Sequence, residues 1–377
     1  MRVAIIGAGT IGLSTAVTLA AAGHQVTVID PQPVSGATYH AGGMLAPAAE
    51  VVYQQDPLFP LMQAAGQWYP ELVQLVEQHT DVPTGHQLQG TLVVAADRAD
   101  AQHLSELMDY QVAHGMSVER ITTREARKEE PALSPRLAGA VSITGDHQVF
   151  PRQFSAAMQD AARNLGVRFV EDTAVEISED SVVLESGDTK TGNIVKAEQI
   201  VLANGLGAAA VRGWYEGEMP LQLRPVYGDI LRLSVPKHLQ PLVTKVIRGF
   251  VEDRPIYVIP RADDTVAIGA TSREDGRAEP RVSGVYDLLR DAIRVVPGVE
   301  ECDLLEATAG ARPGTPDDLP YLGRINDRIV VSTGYFRHGI LLTSLAAKVT
   351  GEIIEGEQPS IDIEACSPLR HKKGNKS

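Results

Sequence analysis

Hydrophobic positions cluster from the first residues, with an apolar run over 2–6, an alanine-rich stretch over 10–22 and alternating apolar residues over 25–29 that end at Asp30. Strand, helix, strand is the predicted order. A Gly- and Ala-rich loop over 35–49 comes next, followed by helical spacing over 58–79, a strand-like run over 90–96 and a helix over 100–113. Pro151 opens a helix predicted over 151–165, because proline is tolerated where the N–H has no helical partner. Strands are predicted at 167–170, 174–177, 181–184 and 199–202, the last running into Ala203-Asn204-Gly205. Alternation dominates 221–270, at 229–235, 256–259 and 266–268, and predicts a separate antiparallel sheet. The chain then returns to α/β character, with a strand over 329–332, a turn at Thr333-Gly334 and an apolar helix over 340–354.

A length of 377 residues exceeds what one core usually supports, so two lobes sharing a cleft are expected. The formal charge of −14, from 48 acidic against 34 basic residues, argues against nucleic acid or an anionic membrane surface as partner. Basic residues therefore act locally. Cys302 and Cys366 lie far apart without C-x-x-C spacing, so no disulfide framework and no metal site is expected, and a reducing cytoplasm fits. No signal peptide or membrane span is expected, since the first apolar run passes directly into a glycine turn. Residues 367–377 end in a polar, basic stretch expected to fray.

Gly7-Ala8-Gly9-Thr10-Ile11-Gly12 fits G-x-G-x-x-G between a strand and a helix, and Asp30 follows eighteen residues after Gly12 at the end of the second strand. That context distinguishes it from an ordinary glycine turn. Gly7 permits the tight turn, Gly9 lets backbone approach a pyrophosphate, and Gly12 lets helix and strand pack closely. The helix N-terminus offers free N–H groups and a positive dipole end to phosphates, and Asp30 is placed for ribose hydroxyls. The motif alone leaves NAD and FAD both open.

Three further stretches carry a family resemblance. Ser35-Gly36-Ala37-Thr38-Tyr39-His40-Ala41-Gly42-Gly43-Met44-Leu45-Ala46-Pro47 resembles the flavin-contacting loop of glycine oxidases, the enzymes of thiamine biosynthesis within the D-amino acid oxidase superfamily. Residues 310–320 (GARPGTPDDLP) and 333–342 (TGYFRHGILL) resemble the same family. The resemblance implies FAD as cofactor and a Rossmann-type FAD-binding domain, built from 1–83, 151–214 and 311–366 and interleaved with an antiparallel-sheet substrate domain built from 84–150 and 215–310. FAD would touch Thr10 and Ile11 at the phosphate turn, Asp30 and Pro31 at the ribose, and Ala37, Thr38, Gly42, Gly43 and Met44 beside the flavin. Val175 would lie on the adenine, Ala203 and Gly205 would close on the cofactor, and Tyr335, Phe336, Arg337, His338, Gly339, Ile340 and Leu341 would lie against the flavin. The family more often has Ala where Asn204 stands.

The family's chemistry is oxidation of glycine or a small amine, such as sarcosine or D-alanine, by hydride transfer to flavin N5, with dioxygen reoxidising the flavin to give hydrogen peroxide. Such a reaction needs a clamp for the substrate carboxylate, and a guanidinium fork makes two parallel charge-assisted bonds. Arg312 matches the family's clamp position, whose alternative is a structural ion pair. Tyr257 matches a carboxylate-binding hydroxyl or a core-filling aromatic, and Arg337 serves substrate or flavin. His338 and His147 read as hydrogen-bonded structural groups, not general bases. No nucleophile arrangement is evident.

His40 departs from the family's small apolar residue. Tyr39-His40-Ala41-Gly42-Gly43 is similar to the loop of dimethylglycine and sarcosine dehydrogenases whose histidine bonds flavin covalently, so His40 reads either as a flavin attachment point or as an ordinary hydrogen-bonding group. A dehydrogenase passing electrons to a carrier, and a non-catalytic FAD-fold partner subunit, are the alternative functions. Ser272 replaces a larger methionine of some relatives, leaving room for amines bulkier than glycine. The family implies a homo-oligomer, with a tetramer as its suggested form.

Overall fold

The computed structural model describes residues 1–186 and 193–372. In chain order its principal elements are β1 (Arg2–Ile6), α1 (Thr10–Ala21), β2 (Gln25–Ile29), α2 (Phe59–Glu77), β3 (Thr91–Ala95), α3 (Arg98–Ala113), β4 (Glu119–Ile121) and β5 (Gly139–Ile143). There follow α4 (Pro151–Asn164), β6 (Arg168–Val170), β7 (Gln199–Leu202), β8 (Arg224–Ser234), β9 (Val246–Val251), β10 (Arg254–Pro260) and β11 (Thr265–Gly269). The last are α5 (Val282–Val295), β12 (Asp303–Gly314), β13 (Tyr321–Asn326), β14 (Ile329–Thr333) and α6 (Thr343–Glu355).

One six-stranded sheet has the order β13-β14-β7-β1-β2-β6. It is parallel from β14 through β7, β1 and β2 to β6, and β13 joins antiparallel at the edge. Strands covered on both faces carry continuous apolar runs, as in the Val3–Ile6 stretch and in residues 200–202, all buried. Helix α1 is small-residued and buried almost all round, because α4 and α6 pack against it on top of the sheet. Phe154, Ala157, Met158 and Ala161 give α4 an apolar face at helical spacing, and Pro151 sits in its first turn as expected.

An eight-stranded sheet has the order β12-β8-β11-β10-β9-β3-β5-β4. The expectation of an antiparallel sheet holds at every pairing except β9 with β3, which is parallel. Strand β3 reaches β9 from a distant part of the chain, so no hairpin forces the two to oppose. Helix α5, unanticipated from sequence, covers this sheet with Leu288, Ala292 and Val295.

The structure differs from the predicted division in two places. β12 is one strand paired with β8 from Asp303 to Gly314, so a boundary between 310 and 311 falls inside it. Strand continuity, not composition, decides where such a lobe ends. The predicted tail from 367 is held as far as His371: Arg370 pairs with Asp317 at 2.8 Å, and His371 Nδ1 lies 2.7 Å from the Tyr321 hydroxyl. Residues 373–377 of that tail lie outside the described residues.

Candidate active site

At the end of β1 the chain turns through Gly7, whose φ of +106° suits glycine, and whose missing Cβ would come within 2.6 Å of Asn204 Cα. The turn is thereby pressed onto the end of β7. A Cβ on Gly12 would meet the Gly7 carbonyl oxygen at 1.9 Å, so Gly12 serves close packing of helix on turn. Gly9 caps α1 in an extended conformation without a side-chain cap, leaving the helix N-terminus open. The Thr10 N–H donates to Thr38 Oγ1 at 3.1 Å, tying the loop to that terminus. Asp30 accepts from the Ala8 N–H at 2.7 Å and from the Gln32 N–H at 2.8 Å, one bond to each oxygen. Each oxygen retains a lone pair for a hydroxyl.

A cavity of about 670 Å³ starts at this turn and extends to the eight-stranded sheet. Its lining includes Gly7, Gly9, Thr10, Ile11, Asp30, Pro31, Ala37, Thr38, His40, Gly42, Gly43, Met44, Ala203, Gly205 and residues 335–341. Asn204 also lines it, with its Oδ1 buried and unpartnered. Two of the expected cofactor residues do not line it. Gly12 packs behind the turn, and Val175 lies outside the lining, to which its neighbours Thr173 and Ala174 contribute.

The loop carrying residues 35–47 has almost no regular structure, and arginines from the rest of the chain hold it. Arg152 Nε and Arg232 Nη2 both donate to the Tyr39 carbonyl, at 3.1 and 3.0 Å, while their other nitrogens bond Glu306. The Arg152 guanidinium stacks 3.5 Å above the Tyr39 ring. Arg261 donates to the Gly42 carbonyl, and burial brings its pKa down to about 9. Behind the same loop, Asp146 accepts from the Ala48 N–H at 3.2 Å and the Ala49 N–H at 2.6 Å. Burial pushes the Asp146 carboxyl up to about 7 against those two bonds.

The far end of the cavity brings together the three residues expected there, Arg312, Tyr257 and Arg337. The Arg312 fork occupies space that a side chain at Gly228 would fill, a Cβ there lying 2.2 Å from its Nη2. Its Nη1 donates to the Thr271 carbonyl at 3.2 Å, and among the described residues no ion pair engages it. Burial lowers its pKa, and Arg337 adds to that. The alternative of a structural ion pair is therefore not what the residue makes. Tyr257 has its phenol pushed up by burial, opposed by the charges of Arg312, Arg232, Arg261 and Arg248.

Glu50 and Arg248 were missed in the sequence. Arg248 lies opposite Tyr257 on β9 and pairs with Glu50; Arg337 Nη2 reaches the other Glu50 oxygen at 3.2 Å. Burial takes Arg248 down to about 9. The signal was an arginine inside the apolar run Val-Ile-Arg-Gly-Phe-Val, because a buried guanidinium demands a partner.

His40 lies in the lining with its Nδ1 buried and unpartnered, and burial followed by the charges of Arg232 and Arg152 lowers its pKa. His338 is driven down to about 3 by burial and so stays neutral. The expectation of hydrogen-bonded groups is not met at His338 Nε2 and His147 Nδ1, both buried without partners. Burial lowers the pKa of His147 as well. Among the described residues no His, Cys, Asp and Glu group could hold a metal ion, and no helix is long and apolar enough to cross a membrane.

The family model described as FAD dependent oxidoreductase matches residues 2–353. The chain belongs to that family. A glycine oxidase of Geobacillus kaustophilus is 32% identical over 98% of this chain and 97% of its own length. The bifunctional protein ThiO/ThiG of Synechocystis sp. is 31% identical over 98% of this chain, which spans only 54% of that relative's length. The crystal structure of glycine oxidase from Geobacillus kaustophilus superposes with a TM-score of 0.86 at 30% identity, covering 98% of this chain and 99% of the other. FAD is the cofactor of this oxidoreductase family, and the residues present fit it: an open helix N-terminus for the pyrophosphate, Asp30 for the ribose, and an elongated cavity of suitable size.

Proposed function

We propose that this FAD-dependent oxidoreductase oxidises glycine and small amines such as sarcosine or D-alanine, as part of thiamine biosynthesis. The observation that carries the reading is Arg312, a guanidinium without an ion pair in the same cavity as the dinucleotide turn. A buried cation of this kind asks for an anion, and the carboxylate of an amino acid satisfies its fork with two parallel bonds. Tyr257 adds a hydroxyl donor to that carboxylate. Arg337 lines the same cavity, held by Glu50, and serves substrate or flavin from there. When bound, FAD supplies the acceptor for the hydride leaving the α-carbon, and dioxygen returns it to the oxidised state with release of hydrogen peroxide. Burial keeps His338 a weak base, its pKa driven down to about 3, and burial lowers that of His40 as well.

We place the enzyme in the cytoplasm as a homo-oligomer, with a tetramer as the form its family resemblance favours; its two free thiols, Cys302 and Cys366, fit a reducing compartment. Oxygen consumption with glycine, sarcosine, D-alanine and D-proline, with peroxide measured in parallel, tests the assignment. Peroxide formed in step with oxygen uptake supports an oxidase. Turnover seen only with an artificial electron acceptor would make it a dehydrogenase, and no turnover with any amine would make it a binding subunit.

A further inference from the structure

We propose that the substrate end holds a second anion seat at Arg248, beside the one at Arg312, so that the site prefers amines carrying two carboxylates. This deepens the amine-oxidase reading above and rests on it.

Three guanidiniums, those of Arg248, Arg312 and Arg337, line this end of the cavity with a single carboxylate, Glu50. Two other carboxylates act on the group but are engaged elsewhere: Asp229, near Arg312, pairs with Arg273 at 2.8 Å, and Asp318, near Arg337, pairs with Arg224 at 2.6 Å. Two positive charges are therefore left over, and one substrate carboxylate answers only one of them. A buried cation without a counter-charge is costly, so this end draws a second anion.

The donors for it are present. Arg248 is 6% exposed and faces Glu50, yet its Nε and Nη1 are buried without a hydrogen-bond partner. Burial and the like charge of Arg337 both oppose its own charge. Arg337 meets the shared Glu50 through Nη2 alone, at 3.2 Å.

The sheet keeps the two seats distinct. Arg248 lies opposite Tyr257 and Tyr257 opposite Gly269, so the three share one face across β9, β10 and β11. Gly269 lies opposite Ile230 on β8, and Gly228, two residues away, shares that face. A Cβ on Gly269 would lie 2.3 Å from the Tyr257 hydroxyl, and one on Gly228 2.2 Å from Arg312 Nη2. The hydroxyl and the Arg312 fork thus occupy the space over β11 and β8, while Arg248 starts from β9, on the other side of Tyr257. One small molecule spanning Tyr257 meets both guanidiniums, whose charges both act on its phenol.

D-aspartate with D-asparagine, and D-glutamate with D-glutamine, provide the probe, because each pair differs only in a carboxylate against a neutral amide of the same shape. In the wild-type holoenzyme kcat/KM is expected to favour the acid by about tenfold or more in at least one pair. Arg248→Met should lower that acid-to-amide ratio by about tenfold or more, since the second seat is lost. A charge that served only the flavin or the packing would lower acid and amide together; a ratio unchanged in a variant that retains flavin would overturn the proposal. So would wild-type turnover of both amides as fast as their acids. Should Arg248→Met fail to hold flavin, or these larger amines not turn over, titration of the wild-type holoprotein with succinate and succinamate, read from the flavin absorbance, decides the matter. Tighter binding of succinate supports the second seat, and equal or weaker binding refutes it. Because the titration needs no turnover, a chain that oxidised none of the amines would sink the proposed activity while the two binding constants still tested the seat.

Discussion

The two ends of the cavity are built by different means. At the dinucleotide end the geometry comes from a contiguous stretch of backbone, in which Gly7, Gly12 and the open start of α1 shape the turn. At the substrate end it comes from long side chains delivered by separate segments: Glu50 from a loop, Arg248 and Tyr257 from adjacent strands, Arg312 from β12 and Arg337 from the last turn before α6. The first design is local and intolerant of any added atom. The second tolerates added atoms better but depends on charges being matched.

That contrast predicts a graded series of losses. Gly12→Ala puts a Cβ where the Gly7 carbonyl oxygen now lies 1.9 Å away, so α1 shifts off the turn. A cost of about 2–3 kcal/mol and near-complete loss of bound flavin are expected, read from thermal unfolding and from flavin absorbance per mole of protein. Normal flavin content would show that the turn is looser than its packing implies. Arg312→Met comes next: kcat/KM falls by about 100-fold or more while flavin content is kept, because two charge-assisted bonds to the substrate are lost. Loss of flavin in that variant would erase the separation between the two ends. Tyr257→Phe removes one hydroxyl from the same seat and is expected to cost about three- to tenfold, chiefly in KM, in steady-state kinetics.

The smallest effect is a pH dependence of stability. Asp146 gives up its proton near the ordinary 3.8 in the unfolded chain and near 7 in the folded one, so between those values the folded form holds more protons. Its contribution to stability is largest at low pH, declines as pH rises from about 4 to about 7, and is level above. The decline should be absent in Asp146→Asn, measured as the difference between the two proteins' unfolding free energies across that window. A difference that grew with pH would reverse the sign and refute the burial argument.

Legibility in sequence follows the same division. The opening βαβ unit, the Pro151 helix and most strands of the six-stranded sheet are visible because their apolar residues repeat at the period of the element they form. Arg312, Tyr257 and Arg337 were found through motif resemblance, and the structure places all three in one cavity. Helix α5 escaped notice because its apolar side is interrupted by Asp291, which is buried against Arg254. Glu50 and Arg248 escaped because an ion pair between residues so far apart leaves no spacing to read. Val175, carried over from the resemblance, is not among the residues lining the cavity, whereas its neighbours Thr173 and Ala174 are.

The arginine contacts to the Tyr39 and Gly42 carbonyls bear on how the gene can be cut. Arg152, Arg232 and Arg261 are all encoded after the fingerprint and loop they hold, two of them on the eight-stranded sheet side of the chain. An N-terminal fragment carrying only the fingerprint and loop would keep every residue of the nucleotide signature yet none of these three guanidinium staples. Modular swapping of this segment between homologous enzymes would therefore require matching the three arginine donors in the recipient, since residues outside the segment hold the loop.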